Sequence, residues 1–553
     1  MTESKRFKRE STTFEYLPNE VCVEVFSYLN GVDTVYAFSS LNSRFQSLIN
    51  NYVDIFNFKS VSKKKFCFVI QHRNIKRWRS LCLSNNDDTP GQIKLFCQLF
   101  PSTKYIHQLQ SLTILNTQRI DTERFLLQVP LFNNLVSLSI ENVCGVSIQS
   151  INLPKLQQLT LTSCKYTSWL MNCSSLKSLE YTIRKKNCSH RDKLVVPKTI
   201  ARLKIYYNEY SDGKDIRELL RQMSNLTILA LFDNSGYHLL PNGKIWEVLI
   251  TSCSPLLKTF QFYFSFKQYP VLLNDLNAMI ETFSTPFYLL EKRWFVRCHR
   301  DPERTCYGFL YSLPFAFSQL LMNASAYKTS ISTLPDSDVN EIKNNHYAKV
   351  NTLIVNGVRE EPPIYLLPSN IICLILNDKL SKSWLYLLKE LRYLHIQHGA
   401  DMSSDDFAQL LEHTPNLQSL TISIEGLEKL TNKLKHKIAC QYLSERIKSL
   451  TITSSDYSLC RPDSGHVTIR ALSLLTRILS SKCEHLSLAI KANPNTVRSI
   501  LQRMRQLRSL HIQWAREFTV SDWFQEQSTY STALDFVHIK DKQEFFIWFG
   551  NHF

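Results

Sequence analysis

The hexapeptide LQSLTI occurs at Leu109–Ile114 and again, much later, at Leu417–Ile422. The same order, apolar-x-x-apolar-x-apolar, recurs through most of the chain, and most copies start 20 to 31 residues apart. One copy is weak evidence, but this many copies in register predict a repeat protein. The copies begin at Trp78, Leu109, Leu135, Leu156, Leu176, Ile200, Leu226, Leu257, Val350, Ile371, Leu391, Leu417, Ile447, Cys483, Leu507 and Leu534.

The pattern has a physical cause in the geometry of β-strands. The alternating second half of each copy places its apolar side chains on one face of a short strand. The next residues must return the chain to start a parallel strand, usually through a helix, and apolar residues at helical spacing follow Asp215 and Ser404. Because one unit cannot bury its apolar face alone, stacked units share a core. The period is that of leucine-rich repeats and predicts an α/β horseshoe with a parallel concave sheet over residues 57–553.

The repeat register is lost in the middle of the chain, from 264 to 347. This segment is rich in aromatic residues and contains FYLLEKRWFVRCHRDPERTCYGFLYSLPF, which begins at Phe287. Two interpretations fit it. It is either a divergent pair of repeats or an insertion that packs on the horseshoe.

Composition limits the functional classes. The chain of 553 residues is 44% hydrophobic and 20% charged, which is typical of globular proteins. No run of about 18 apolar residues predicts a membrane span, and the charged start lacks the apolar segment of a signal peptide. The 15 cysteines, an odd number, fit a reducing compartment. We therefore expect a cytoplasmic or nuclear protein, or one present in both.

The first residues carry a different pattern. After the charged tail 1–13, the stretch FEYLPNEVCVEVFSYLNGVDTVYAFSSLNSRFQSLINNY predicts three short helices over 14–56. Pro18 suits a helix start, Asn30-Gly31 suits a helix end, Asp33 is a candidate cap for the second helix, and Asn42 or Ser43 opens the third. So small a unit usually needs a partner to be stable.

This stretch resembles an F-box, through LP-x-E-V, then VFSYL, then Asp33 and the Arg44-Phe45 pair. Cys22, Val23, Asn42 and Phe45 depart from the residues that are frequent in the family. The resemblance implies a substrate receptor of SCF-type cullin-RING ubiquitin ligases, in which the helices bind a Skp-family adaptor and the repeats hold a client protein. The adaptor-binding residues implied are Phe14, Leu17, Pro18, Glu20, Val21, Val25, Phe26, Leu29, Leu41, Phe45 and Leu48. The alternative is a plain helical cap on the repeat array.

Client binding is expected on the strand face that carries the x residues. Most of these are Ser or Thr, which are ordinary strand formers. Arg202, Lys204 and Tyr206 alternate two cations with a phenol and suit an acidic or phosphorylated client. Tyr393, His395 and His511 lie at equivalent positions of later strands.

Signals for chemistry are weak. Gly243-Lys244 lacks the rest of a phosphate-binding loop, and no nucleophile elbow or zinc-protease helix occurs. Cys298, His299 and Cys306 lie close together without a second ligand pair. We therefore predict no catalytic residue, no metal and no cofactor. Two rival functions remain: an interaction scaffold without a ligase role, and a nucleic-acid binder that uses the net charge of +17.

Overall fold

A computed structural model provides the fold of the chain. The residues that it describes are 14–72, 74–100, 106–116, 125, 132–141, 152–162, 168–183, 194–207, 214–236, 242–267, 276–300, 307–323, 329–335, 346–356, 371–378, 380–397, 400–453, 475–476, 478–479, 481–492, 494–514, 534–539 and 544–549. They form a mixed α/β fold with two large, mainly parallel sheets.

The first sheet starts close to the N-terminus. From β1 to β9 its strands are parallel neighbours in chain order, and the sheet then ends in the antiparallel order β11, β10, β13. Its strands are β1 (Ile55–Asn57), β2 (Ser80–Ser84), β3 (Ser111–Leu115), β4 (Ser137–Ile140), β5 (Gln158–Thr162), β6 (Ser178–Ile183), β7 (Arg202–Tyr207), β8 (Ile228–Gly236), β9 (Thr259–Lys267), β10 (Phe295–Arg300), β11 (Tyr307–Leu313) and β13 (Thr329–Ser332).

The second sheet continues the array. Its strands are parallel from β12 to β20 and end with an antiparallel pair in the order β22, β21. They are β12 (Gln319–Asn323), β14 (Thr352–Asn356), β15 (Cys373–Leu376), β16 (Tyr393–Ile396), β17 (Ser419–Ser423), β18 (Ser449–Thr453), β19 (His485–Ala492), β20 (Ser509–Trp514), β21 (Leu534–Ile539) and β22 (Glu544–Phe549).

Helices connect many of the parallel strands, as the parallel pairing requires. The two helices predicted after Asp215 and Ser404 are present, whereas Ser168–Asn172 and Lys382–Leu388 return the chain as 3-10 helices. The α-helices are α1 (Asn19–Ser27), α2 (Gly31–Phe38), α3 (Ser43–Tyr52), α4 (Lys63–His72), α5 (Gln92–Leu99), α6 (Lys214–Arg221), α7 (Gly243–Cys253), α8 (Leu276–Glu281), α9 (Ser404–His413), α10 (Ile424–Leu430), α11 (Lys437–Arg446) and α12 (Pro494–Arg503).

The repeat pattern and the strands coincide. In β3, Leu112 and Ile114 are buried while Ser111 and Thr113 are partly exposed, and β17 and β18 repeat this alternation. The buried side chains merge into continuous cores. The leucine-rich-repeat prediction is therefore confirmed at the level of strands and core.

An asparagine in the turn before the strand fastens some repeats to the preceding one. Nδ2 of Asn134 donates to the carbonyl of His107 at 3.0 Å, and Nδ2 of Asn416 donates to the carbonyl of Lys389 at 3.1 Å. In the same way, Nδ2 of Asn225 donates to the carbonyl of Lys198 at 3.1 Å. These amides satisfy carbonyls that the turn leaves without a backbone partner.

The irregular segment 264–347 joins the two sheets. In this segment, predicted to be either divergent repeats or an insertion, β11 pairs antiparallel with both β9 and β10 and thereby ends the parallel part of the first sheet. After this segment the chain forms β12, the first strand of the second sheet, which pairs parallel with β14. Inner-face aromatic residues close the junction: Phe232 stacks on Tyr263 at 4.8 Å and contacts Phe317 at 5.1 Å.

The prediction that the last copy, at Leu534, forms a parallel repeat strand is wrong. The copy that begins at Leu534 forms β21, which pairs antiparallel with β22 in a terminal hairpin. It is β22 that joins the sheet, antiparallel to β20. The hairpin therefore ends the array with a different geometry from a parallel repeat.

The predicted horseshoe shape is not confirmed, and the two ends of the array are in contact. Trp548 of β22 is buried in the first core, and its ring lies 5.6 Å from that of Phe66 on α4. Asp88, in the turn after β2, lies 3.5 Å from Nδ1 of His485 on β19. Curvature over many repeats has thus brought terminal elements into contact.

The N-terminal helices form a small unit with an aromatic core. Phe14, Phe38 and Phe45 have ring centroids 5.2 to 5.9 Å apart, and Phe26 packs on Phe38 at 5.2 Å. Asn42 caps α3 as predicted, its side chain accepting from the N–H of Phe45 at 3.0 Å.

The second cap differs from the prediction. Asn30, and not Asp33, caps α2 and accepts from the N–H of Val32. Asp33 lies in the first turn of α2, where its carboxylate interacts favourably with the positive end of the helix dipole.

The helical unit is fixed to the first repeat. Nδ2 of Asn30 donates to the carbonyl of Asn57 at 2.7 Å, and Lys65 pairs with Asp33 at 2.6 Å. Gly31 passes so close to β1 that an added Cβ would lie 2.2 Å from the carbonyl oxygen of Ile55. Since β1 pairs with β2, the sheet begins at Ile55, just before the predicted boundary between 56 and 57.

Candidate functional site

Most of the predicted adaptor-binding residues lie at the surface of the N-terminal unit. Val21, Leu29 and Leu41 are 43%, 41% and 52% exposed, and Pro18 and Glu20 are exposed as well. Phe14, Leu17 and Val25 are half-buried. These side chains are available to a partner without unfolding of the unit.

Three predicted residues lie in the interior. Phe26, Phe45 and Leu48 are 5%, 0% and 6% exposed. They hold the helices together beneath the surface. The prediction that they contact a partner directly does not fit this burial, and they support the surface residues from beneath.

The structure adds exposed apolar residues that the prediction omitted. Tyr16 and Tyr28 are both 80% exposed, Tyr52 is 59% exposed and Ile55 is 62% exposed. Tyr28 follows Val21 and Val25 at helical spacing, so the three share one stripe of α1 and its C-cap. That periodicity was readable from the sequence and could have identified Tyr28. Exposed apolar side chains thus concentrate on a unit of only about forty residues.

One side chain orders the start of this surface. Nε of Arg44 donates to Oδ1 of Asn19 at 2.7 Å, and its Nη1 donates to the carbonyl of Glu15 at 2.6 Å. The guanidinium therefore joins the start of α3 to the segment that leads into α1. This contact gives Arg44 a structural role within the N-terminal unit.

The predicted cationic strand face is largely engaged within the chain. Lys204 lies 3.5 Å from a carboxylate oxygen of Glu180 and 5.0 Å from the ring centre of Tyr206. Burial lowers the pKa of Lys204, but the hydrogen bond to Tyr206 and the charge of Glu180 outweigh it, and the net pKa is raised. Tyr206 is half-buried against Phe232. Of the predicted trio, only Arg202 is exposed.

Tyr393 and His395 lie on β16, on the inner face of the second sheet. Tyr393 is 51% exposed and lines an open cleft of about 570 Å³. Burial lowers the pKa of His395, which favours its neutral form. Across the cleft lie Asn86 and Asp88 of the turn after β2. The predicted inner surface is therefore a cleft between distant repeats.

His511 belongs to the contact between the two ends. Its ring stacks on Phe546 with centroids 3.9 Å apart, and its Nδ1 lies 2.9 Å from Oγ of Ser487 and 3.8 Å from Oδ1 of Asp87. Burial, together with the charge of Asp88, raises the pKa of Asp87. These contacts make His511 a part of the packing between repeats.

Neighbouring His485 has a similar role. Its Nδ1 lies 2.9 Å from Oγ of Ser509, and burial lowers its pKa despite the nearby charge of Asp88. A neutral imidazole accepts or donates one hydrogen bond here without bringing a buried charge.

The possible metal ligands are separated from any described cluster. Cys298 is buried, with its thiol pKa raised to about 12, and His299 bonds through Nε2 to the hydroxyl of Tyr311 at 2.7 Å. Cys306 lies outside the described residues. Over the part of the chain that the structure describes, no three His, Cys, Asp or Glu side chains form a group suited to a metal. None of the described helices has both the length and the apolar character needed to cross a bilayer.

Comparison with known proteins adds little to this geometry. No protein-family model and no curated protein sequence matches the chain. Among solved structures, CroV588, a circular LRR protein, aligns at 13% identity over 57% of this chain and 37% of that chain, with a TM-score of 0.20. The Toll–Spatzle complex of Drosophila aligns at 11% identity over 78% of this chain and 46% of that chain, with a TM-score of 0.18.

The glycosylated form of the Toll–Spatzle complex gives a similar result, with 10% identity, 77% and 46% coverage and a TM-score of 0.18. The chain thus spans less than half the length of each of these proteins. The fold is defined by its strands, their register and the shared core.

Proposed function

We propose that the protein is a substrate receptor of an SCF-type ubiquitin ligase, which binds a Skp-family adaptor through residues 14–56 and a client protein through its repeats. The observation that carries the proposal is the set of exposed apolar side chains on the N-terminal unit, among them Tyr16, Val21, Tyr28 and Leu41. Exposed apolar patches on a well-packed unit are typical of protein interfaces.

The core beneath this surface supports docking and argues against a simple helical cap. The unit buries Phe26 and Phe45 in its own aromatic core and contacts the first repeat through α2 and β1. A cap needs only the side that faces the repeats, and its outer side is expected to be polar. The outer side here keeps tyrosines and aliphatic residues in water, which suits a partner that covers them.

The unit's fixed position on the repeats suits the task of a receptor. Arg77 bonds to the carbonyl of Asn50 at 3.2 Å, Lys65 pairs with Asp33, and Tyr36 packs on Phe68 at 5.4 Å. A client on the repeats would then be held at a set distance from the ligase. In this proposal the chain performs no chemistry and acts by raising the effective concentration of a client lysine near the ubiquitin carrier.

The test is co-expression of the full chain with a Skp-family adaptor, followed by size-exclusion chromatography. We would compare the wild type with Val21→Ser/Leu41→Ser, which removes two exposed apolar contacts. The matched control is Val248→Ser/Leu290→Ser, whose side chains are 69% and 76% exposed on the repeats. All three proteins should give the same circular dichroism, because exposed positions contribute little to the core.

We expect wild type and control to co-elute with the adaptor and the Val21/Leu41 variant to lose it. If the wild type fails to bind an adaptor that binds another F-box protein, the ligase role is rejected. The interaction scaffold and the nucleic-acid binder then remain. A salt titration separates them, since nucleic-acid affinity falls steeply with salt.

A further inference from the structure

We propose that the edge of the first sheet where strands β6 to β9 begin is the docking surface for an acidic segment of a client protein. We call this surface the basic rim and define it as Lys177, Lys198, Arg202 and Lys258. The inference rests on the proposed function, because it names the chemistry of the client. It also moves client recognition away from Lys204 and Tyr206, which are engaged within the chain.

Backbone hydrogen bonds place Lys177 and Lys258 in one row with Ala201 and Thr227. The N–H of Ala201 donates to the carbonyl of Lys177 at 2.9 Å, the N–H of Thr227 to that of Ala201 at 2.8 Å, and the N–H of Lys258 to that of Thr227 at 2.9 Å. Each of these residues precedes its strand, so Lys177 and Lys258 lie three strand spacings apart. At about 4.8 Å per strand this is about 14 Å.

Lys198 and Arg202 complete the rim between them. The N–H of Arg202 donates to the carbonyl of Lys177 at 2.9 Å, and the carbonyl of Lys198 accepts from Asn225 at 3.1 Å. All four rim side chains are exposed. Within the described ranges of the chain, none of the four has a carboxylate at ion-pair distance.

Two other cations that precede strands, one in each sheet, are compensated. Arg79, just before β2, pairs with Asp54, and Arg508, just before β20, lies 2.8 Å from Glu484. The rim keeps four positive charges without such partners, and their mutual repulsion would be relieved by an anionic ligand.

The spacing and the neighbours favour a polypeptide over a nucleic acid. An extended peptide covers 14 Å with about five residues, so two or three of its carboxylates can reach the row. Single-stranded nucleic acids are usually bound by stacking on exposed aromatic rings. The residues between the rim cations are Ala201 and Thr227, and Tyr206 faces Phe317 on the inner side of the sheet.

The test uses a fluorescein-labelled acidic peptide of alternating Glu and Ser and measures anisotropy at low and at physiological ionic strength. A peptide with Gln in place of Glu, and a single-stranded DNA of equal charge, are the comparison probes. The rim variant is Lys177→Gln/Arg202→Gln/Lys258→Gln. The control is Lys389→Gln/Lys437→Gln/Lys482→Gln, which removes the same charge from exposed positions elsewhere.

We expect the rim variant to bind the acidic peptide roughly tenfold more weakly than the wild type, since three exposed contacts are lost. The control should stay within about twofold, because it lowers only the general field. An equal loss in both variants, or no binding of the acidic peptide to the wild type, overturns the proposal. Tighter binding of the DNA through the rim overturns the choice of a polypeptide.

These results are separable from those that test the adaptor. The rim lies on β6 to β9, whereas the adaptor surface lies on residues 14–56, so the rim variant should still co-elute with the adaptor. Peptide binding without adaptor binding rejects the ligase role and keeps the rim as the surface of a scaffold. Adaptor binding without peptide binding rejects the rim alone.

Discussion

Replacing Trp548 by alanine tests the contact between the two ends of the array. Trp548 is 3% exposed and belongs to the first core, whereas Ile547 and Phe549 on either side of it belong to the second core. This division follows from the alternation of side chains along β22. The indole therefore contacts Phe66, a residue far away in sequence, at 5.6 Å between ring centroids.

The size of the effect follows from the buried area. A fully buried tryptophan removes about 200 Å² of largely apolar surface from water, which at about 25 cal/mol per Å² is about 5 kcal/mol. Measured costs of Trp→Ala in cores are about 3–5 kcal/mol. We expect a loss in this range, localised at the closure, because the units of a repeat array are stabilised by their neighbours.

Native-state hydrogen exchange is the appropriate assay, since it resolves opening free energies segment by segment. In Trp548→Ala, amides of α4 and β2 should exchange faster although the substitution lies in β22. The matched control is Phe549→Ala, which is 5% exposed in the same strand and faces the second core. Its effect should stay near β20 and leave α4 unchanged. If both variants leave α4 unchanged, the array is open in solution and our reasoning is wrong.

Three further predictions concern the unit junction, the sheet junction and the ties between repeats. Gly31→Ala should lower the free energy of unfolding by about 1–3 kcal/mol in a urea titration, because the added Cβ would lie 2.2 Å from a backbone oxygen. The control Gly426→Ala should cost less, because its Cβ would meet only side-chain atoms at 3.0 Å or more. Burial, and then the charge of Arg297, lower the pKa of His346 from 6.5 to about 4. Because the unfolded chain takes up the proton at higher pH, the free energy of unfolding should fall by about 3 kcal/mol as the pH drops from 6.5 to 4. Calorimetry should show a smaller loss in His346→Gln, and an equal loss in both proteins would contradict the role of His346. Asn225→Ala removes the 3.1 Å bond to the carbonyl of Lys198 and should cost about 1 kcal/mol by thermal unfolding, whereas Ser224→Ala at an exposed neighbour should be neutral.

The regular part of the fold was predictable because it is local. The alternation of Leu112 and Ile114 with polar residues predicts a strand, and the spacing of Phe407 and Leu411 predicts a helix. Neither pattern depends on distant parts of the chain. The start of α3 follows from equally local capping chemistry at Asn42.

The sheet junction and the closure depend on contacts that no local pattern contains. The aromatic residues of β11 predict a strand, but its sequence contains no signal for its antiparallel pairing with β9. The contact of Trp548 with Phe66 depends on curvature summed over the whole array. The candidate rim was missed for the same reason, since Lys177 and Lys258 come together only through the strand register.

The exposed face of the N-terminal unit was predicted in part. Helical spacing identifies which residues share a face, but not which face the repeats cover. Val25 and Phe26 are adjacent apolar residues, and only the packed structure shows that Phe26 is 5% exposed while Val25 remains half-buried.

The most direct test of the proposed function is hydrogen exchange of the full chain with and without a Skp-family adaptor. Our account predicts that the adaptor slows exchange in α1 and in the turn at Leu41, where the exposed apolar residues lie, and leaves β16 and β17 unchanged. No slowing in residues 14–56 at saturating adaptor, or slowing confined to the strands of the repeats, would contradict it.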